Sequence, residues 1–151
     1  FIKNGEELVR PLQHELRNIM WKYCGVIKKE SLLLKGLSKV ENIETKINDI
    51  DVRIDEYNCE DLALIFDLQS SLLSAKATIC SALHRNESRG AHQRSDFPSL
   101  DPSFQFNCIV SMDKNSNLKI SKVPIKELNE KQKKIIKNAK REEDIGNKLL
   151  E

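Results

Sequence analysis

The sequence lacks the features that mark several common classes of protein. It has four cysteines, but no Cys-x-x-Cys or Cys/His cluster occurs in its 151 residues. A zinc or iron–sulfur site built from this chain alone is therefore not expected. Aromatic residues make up only 5% of the chain, while 32% of the residues are charged. This composition is typical of soluble helical proteins, and scattered cysteines are typical of a reducing, intracellular compartment.

Neither an excess of one charge nor a long apolar run is present. The formal net charge is +2, which is too small to favour nucleic acid as a partner. The longest segment without Lys, Arg, Asp or Glu covers residues 102–112, whereas a membrane-spanning helix needs about 20 apolar residues. No signal-peptide pattern opens the chain. We therefore expect a cytoplasmic protein with no direct membrane span.

Three amphipathic segments precede residue 90 and predict three helices. The first is expected to begin near residues 7–10, because Pro11 suits only a first turn, and to end at Gly25. The second is expected to cover residues 29–54. The third starts near residue 60, and Gly90 can end it. Their apolar residues recur three or four positions apart, at Leu8, Leu12, Leu16, Ile19 and Tyr23, then Leu33, Leu37, Val40, Ile43, Ile47, Ile50 and Ile54, then Leu62, Ile65, Leu68, Leu72, Ala75, Ile79 and Ala82.

The expected fold class is mainly α. Three long helices with short connections predict an antiparallel up-down-up three-helix bundle, similar to a spectrin repeat. The third helix has unusually few charged residues, and its polar positions are mostly Ser and Thr. A helix that faces solvent would carry more Lys and Glu, so we expect it to be covered on more than one side, either by its own bundle or by another domain.

The last third of the chain has a different pattern. Residues 104–112 alternate in polarity like a strand, and residues 118–123 predict a return strand that completes a hairpin. Asn129 is expected to cap a final basic helix. We therefore divide the chain into a three-helix unit, residues 1–98, and a hairpin-plus-helix appendage, residues 99–151.

Residues 87–98, here called the polar segment, bring carboxylate, guanidinium, imidazole, hydroxyl and amide side chains together within twelve residues. His92 near Glu87 could act as a general base, and Ser88 could act as a nucleophile. Neither has a Gly-x-Ser-x-Gly turn or a second catalytic element to support it. We therefore assign no catalytic, cofactor-binding or metal-binding residue.

The polar segment is interpreted instead as a clasp between two domains. Arginine can hold carboxylates with forked geometry, and the rest of this small chain is expected to supply few partners. The residues assigned to this interdomain interface are Glu87, Ser88, Arg89, His92, Arg94 and Asp96.

Residues 86–98 read Asn-Glu-Ser-Arg-Gly-Ala-His-Gln-Arg-Ser-Asp-Phe-Pro. This run resembles the signature of the C-terminal helical domain of the succinate dehydrogenase/fumarate reductase flavoprotein family, which includes L-aspartate oxidase. Residues 20–27, with their Met-Trp…Gly-Val pattern, and residues 72–85 are similar to two further segments of that family. The resemblance covers residues from about 6 to 98 in the same order.

The resemblance implies a longer parent protein with an FAD-binding domain and a capping domain. In such proteins hydride passes between the flavin and a C4-dicarboxylate. The Gly-x-Gly-x-x-Gly dinucleotide fingerprint does not occur in this sequence, which opens Phe-Ile-Lys without Met. We therefore expect a piece of such a protein that binds no FAD, has no active site of its own and braces the FAD domain of the same polypeptide.

Three functional alternatives remain open. The first is the C-terminal domain of a succinate dehydrogenase or fumarate reductase flavoprotein, which adds an iron–sulfur subunit as a partner and the cytoplasmic face of a membrane as a location. The second is the same domain of L-aspartate oxidase, an enzyme of NAD biosynthesis. The third is a free-standing helical binding module that uses its basic last helix to bind an anionic partner.

Overall fold

The computed structural model describes residues 5–52, 59–114 and 117–148, with side chains in the last helix described through residue 139. The chain is mainly helical with a small antiparallel hairpin, as expected. The helices are α1 (Val9–Tyr23), α2 (Glu30–Lys46), α3 (Glu60–His84) and α4 (Glu130–Lys148). The strands are β1 (Ile27–Lys28), β2 (Gln93–Arg94), β3 (Phe106–Met112) and β4 (Leu118–Pro124).

Helices α1, α2 and α3 pack on one another and share one hydrophobic core. Most of the apolar positions spaced three and four residues apart face inward, because that spacing places them on one side of each helix. Leu8 is an exception, since it precedes α1 and is 47% exposed. The buried apolar residues are Val9, Leu12, Leu16, Ile19, Tyr23, Leu33, Val40, Ile43, Ile47, Ile50, Val52, Ile65, Leu68, Leu72, Ala75, Ile79 and Ala82. Removal of this apolar surface from water is the main stabilising contribution.

Gly36 allows α1 and α2 to approach closely. A Cβ atom at this buried position would lie 2.8 Å from Cβ of Tyr23 and 3.7 Å from Cδ1 of Ile79. The distance of 2.8 Å is shorter than an ordinary non-bonded contact between two carbon atoms. A larger side chain at this position would therefore push α1 away from α2.

The expected length of α2 was wrong, since the helix ends at Lys46 and a 3₁₀ turn, Ile47–Asp49, follows it. The chain then becomes extended to pair with residue 7. The N–H of Glu7 donates to the carbonyl of Asp49 at 3.1 Å, and the N–H of Asp51 donates to the carbonyl of Glu7 at 2.9 Å. These backbone hydrogen bonds replace those of a longer helix. The end expected at residue 54 lies outside the described residues.

Helix α3 ends at His84, six residues before the expected stop. Arg85 is extended, and Gly90 lies instead in a tight turn at φ 55°. Backbone hydrogen bonds of 2.8 and 3.0 Å between Arg89 and His92 close that turn. Its positive φ favours glycine, so Gly90 has a local function in the turn and none in ending the helix.

By length and composition alone, α3 would suit a membrane span, and it is the one helix among the described residues that does so. One face of α3 contributes to the core, and the hairpin packs near it as well. Phe66 and Leu73 on its remaining surface are exposed. Cover from another domain on that surface stays a prediction.

Strands β3 and β4 pair antiparallel, with Phe106 opposite Pro124 and Met112 opposite Leu118. Strand β3 begins two residues later than expected because Pro102–Phe104 forms a 3₁₀ turn.

The expected cap of the last helix is confirmed. The side chain of Asn129 accepts from the N–H of Gln132, and the side chain of Gln132 accepts from the N–H of Asn129, both at 2.9 Å.

The substitution Gly36→Val tests the close approach of α1 and α2. The added side chain meets Tyr23, so we expect the free energy of unfolding to fall by about 1–3 kcal/mol. Urea titration followed by circular dichroism measures the change. Ser38→Val, at an exposed position of the same helix, is the control and should change stability by less than about 0.5 kcal/mol. Equal effects at both positions would contradict the packing described here.

Candidate functional site

The polar segment lies beside the connection between α1 and α2. Strand β2 pairs parallel with β1, so that Ile27 faces Gln93 and Lys28 faces Arg94. The N–H of Ser95 donates to the carbonyl of Lys28 at 2.8 Å, and its hydroxyl donates to the same oxygen at 3.2 Å. A stretch that follows α3 is thereby fixed to a stretch that precedes α2.

Arg94 lies at the centre of this site with only 1% of its surface exposed. Its Nε and Nη2 atoms donate to the two carboxylate oxygens of Asp96 at 2.7 and 2.8 Å. Its Nη1 atom donates to the carbonyls of Ala82 at 2.8 Å and Arg85 at 3.3 Å, and its guanidinium lies 4.9 Å from the ring centre of Phe97. A cation near the carbonyl end of a helix is favourable, so Arg94 caps the C-terminus of α3.

Asp96 caps the other helix. Its Oδ2 atom accepts from the N–H of Glu30 at 2.8 Å, at the first residue of α2. Lys29, at the N-cap position, provides no side-chain cap of its own. The hydrogen bond from Arg94 holds the pKa of Asp96 well below its usual range, although burial acts in the opposite direction. The Arg94–Asp96 pair therefore joins the end of α3 to the start of α2.

Glu87 is fully buried and forms a second ionic cluster. Its carboxylate accepts from Nε and Nη2 of Arg89 at 2.8 and 3.0 Å, from the N–H of Asp101 at 3.0 Å and from Arg85. The hydrogen bond from Arg89 is the largest cause that lowers the pKa of Glu87, to about 2; burial opposes it, and Asp101 and Arg85 lower it further. The cluster fixes residue 101, just before the hairpin, to the polar segment.

Arg85 is a site residue that the sequence analysis missed. It contacts Glu87 and also donates to the carbonyls of Phe104 at 3.1 Å and Phe106 at 2.6 Å. Its guanidinium lies 5.0 Å from the ring centre of Phe106. Arg85 therefore attaches the hairpin to the end of α3. The sequence contained one sign of this role, since Arg85 stands two residues before Glu87 at the end of a helix. The partners of Arg85 in and beside the hairpin are about twenty residues further along the chain, and local spacing does not reveal them.

Ser88 and His92 are both engaged with the backbone. The buried Ser88 hydroxyl accepts from the N–H of Arg94 at 2.9 Å and donates to the carbonyl of Phe97 at 2.8 Å. Nε2 of His92 lies 3.1 Å from the carbonyl of Arg85, and burial lowers the pKa of His92. The hydrogen bonds of these two side chains therefore give no support to a Ser88–His92 nucleophile–base pair.

The expectation that this chain supplies few partners for the polar segment was wrong. Glu87, Arg94 and Asp96 all find their partners inside the chain, because folding brings residues 28–30 and the end of α3 beside them. Arg89 and His92 remain partly exposed. Among the described residues, no group of three or more His, Cys, Asp or Glu side chains could hold a metal ion. The arrangement fastens structural elements together, and its use as an interdomain interface stays a prediction.

Comparisons with known proteins place this geometry in a wider context. A family model described as the C-terminal part of the fumarate reductase flavoprotein matches residues 13–142. The chain is 38% identical over 106 residues to an uncharacterised FAD-dependent oxidoreductase of Methanocaldococcus jannaschii, covering 70% of this chain and 19% of that protein. It is 34% identical over 90 residues to L-aspartate oxidase of Pyrococcus abyssi, covering 60% of this chain and 15% of that protein.

Among solved structures, the chain is similar to part of the Sdh1 complex of Mycobacterium smegmatis in its apo form. The TM-score is 0.74 at 24% sequence identity, over 84% of this chain and 22% of that one. This likeness concerns the fold. The chain thus spans about a fifth of the length of the relatives that it matches.

The ionic cluster at Glu87 predicts a loss of stability in acid. The folded pKa of about 2 lies below the ordinary 4.5, so the unfolded state takes up a proton first as the pH falls. We expect the stabilisation from Glu87 to be complete above about pH 5 and to decrease progressively as the pH falls towards 2. Urea unfolding between pH 2 and 7 measures this dependence.

Glu87→Gln should flatten the acid limb of that curve, whereas Glu127→Gln, at an exposed position, should leave it unchanged. Carboxyl-carbon NMR titration of the unmodified chain provides an independent measurement. A titration midpoint of Glu87 near 4.5 would show that the cluster does not form as described.

Proposed function

This chain belongs to the family of fumarate reductase flavoprotein C-terminal domains, and from that membership we propose that it is the C-terminal domain of an FAD-dependent oxidoreductase that acts on a C4-dicarboxylate. The match of the family model over residues 13–142 carries the proposal. In this proposal the flavin and the substrate-binding groups belong to the rest of the polypeptide. The domain itself braces the FAD-binding region.

The ionic clusters support a bracing role. A domain that supports another must hold its own elements in a fixed arrangement, and the Arg94–Asp96 pair joins two helix ends directly. Of the six residues assigned to the interface, Arg89, His92 and Asp96 keep exposed surface. Because Asp96 is engaged in joining α2 to α3, we propose that Arg89 and His92 face the FAD-binding region. Glu87, Ser88, Arg94 and Asp96 would then maintain the shape of the segment from behind.

We also propose that α1, α2 and α3 form an antiparallel up-down-up bundle of the spectrin-repeat type. Contacts between helices support these directions. Arg10 and Glu60 pair near the starts of α1 and α3, as expected if those two helices are parallel. Lys46 at the end of α2 pairs with Glu7 before α1 at 3.0 Å, as expected if α2 runs the opposite way. Residues 1–98 would form this unit, with residues 99–151 attached to it through Arg85.

Two versions of the parent enzyme are consistent with the relatives. A succinate dehydrogenase or fumarate reductase flavoprotein is favoured by the description of the family model, and the similar Sdh1 chain comes from a complex. In that version an iron–sulfur subunit is the partner and the cytoplasmic face of a membrane is the location. L-aspartate oxidase is favoured by the relative of 34% identity, and in that version the protein is cytoplasmic.

The full-length polypeptide that carries this chain tests the proposal. We expect it to contain about one FAD per chain, measured by absorbance after acid release, and to be reduced by succinate or by L-aspartate or reoxidised by fumarate. The isolated 151-residue chain should be colourless. A full-length protein without flavin, or the isolated chain with stoichiometric flavin, would contradict the proposal.

A further inference from the structure

Three large apolar side chains, Trp21, Val26 and Ile27, are strongly exposed within seven residues of sequence. Their exposed fractions are 83%, 71% and 70%, the highest of the large apolar residues that the structure describes. We call these three residues the apolar patch. Large apolar side chains exposed close together in sequence are typical of surfaces that bind another protein element, and tryptophan is enriched among binding anchors.

The backbone that carries the apolar patch is held in place before any partner arrives. The N–H of Cys24 donates to the carbonyl of Met20 at 2.9 Å. A Cβ atom at Gly25 would lie only 2.8 Å from the carbonyl oxygen of Trp21, so the turn after α1 depends on glycine. A surface with a pre-set backbone loses little conformational entropy on binding.

The polar segment holds the other end of the patch. Ile27 lies opposite Gln93 in the parallel pair of β1 and β2, and Ser95 fixes the carbonyl of Lys28. Glu87 and Arg94 of the polar segment point inward, as their burial indicates. The polar segment therefore acts as the support and the apolar patch as the outward surface.

We propose that the apolar patch is the surface on which the FAD-binding region of the same polypeptide docks. This inference rests on the proposed function and refines it, since it moves the main contact from the six polar residues to Trp21, Val26 and Ile27. The small area of the apolar patch indicates which kind of partner occupies it. A tryptophan side chain buries about 150–250 Å², and Val26 and Ile27 are smaller, so the patch offers less than the ~800 Å² per partner that a stable complex of free proteins needs.

A small surface suffices when the partner is covalently attached, because the tether gives a high effective concentration. A second copy of this chain has no such tether and would bind the patch weakly. The matched relatives contain about four fifths of their length outside the part that this chain matches, which is ample for such a neighbour.

Hydroxyl-radical footprinting of Trp21 tests the docking surface. We compare the isolated chain with the full-length polypeptide and quantify oxidation of the Trp21 peptide by mass spectrometry. We expect oxidation to be at least about fivefold slower in the full-length protein, with Met112 on the exposed hairpin as the internal reference. Protection that appears already in the isolated chain and rises with its concentration would assign the patch to a second copy and overturn the inference.

The flavin content of the same sample separates the two claims. A flavin-containing protein whose Trp21 reacts as fast as in the isolated chain would overturn the docking surface and leave the proposed function intact. A protein without flavin would contradict the proposed function, whatever the reactivity of Trp21.

Two matched variants of the full-length protein complete the test. Ile27→Lys places a charge in the apolar patch and should speed FAD dissociation by at least about tenfold. Ile109→Lys makes the same change at an exposed position of β3 and should alter the rate by less than about twofold. Equal rates for the two variants would overturn the inference. Thermal melting of the isolated Ile27→Lys chain should match that of the unmodified chain, because Ile27 is 70% exposed and is not one of the buried core residues.

Discussion

The burial of one guanidinium group is the constraint on which the junction between α2 and α3 depends. Arg94 is removed from water, and a buried cation is tolerated only when its donors are paired. Its partners come from Asp96 and from carbonyls at the end of α3. Asp96 in turn accepts from the first N–H of α2. The ends of two helices that are far apart in sequence are therefore fixed relative to each other by one ion pair.

The second cluster extends the same principle to the hairpin. A lone two-stranded hairpin is marginally stable. Here Arg85 donates to the carbonyl of Phe106 in β3 and to that of Phe104 in the turn before it, while the buried Glu87 holds Arg85. The density of charged residues after α3 resembles that of an active site. In this chain that density fastens α2, α3 and the hairpin to one another.

Local patterns in the sequence predicted those features of the structure that depend on interactions between residues close together in the chain. The stripe of α1, the end of that helix near Gly25 and the cap at Asn129 all follow from spacing and capping rules. The resemblance of residues 86–98 to a known signature predicted the family. These features involve residues within a few positions of each other, or a contiguous run.

The remaining features of the fold and of the site depend on contacts between residues that are far apart in sequence. The spacing of apolar and capping residues does not encode such contacts. The early end of α2 follows from pairing with Glu7, and the hydrogen bond between Glu30 and Asp96 spans 66 positions. The assumption that the polar segment lacked partners failed for this reason. The same holds for the exposure of Val26 and Ile27, whose apolar character alone would suggest burial.

The central claim is that Arg94 and Asp96 act as one buried connection, and a double-mutant cycle measures that directly. We expect Arg94→Gln to lower the free energy of unfolding by about 3–5 kcal/mol, Asp96→Asn to be clearly destabilising, and the double variant to be little worse than Arg94→Gln. The coupling energy should exceed about 1.5 kcal/mol. The surface pair Lys76–Glu44, which also joins α2 and α3, should give a coupling of about 0–1 kcal/mol. Additive effects of the Arg94 and Asp96 substitutions would contradict the account.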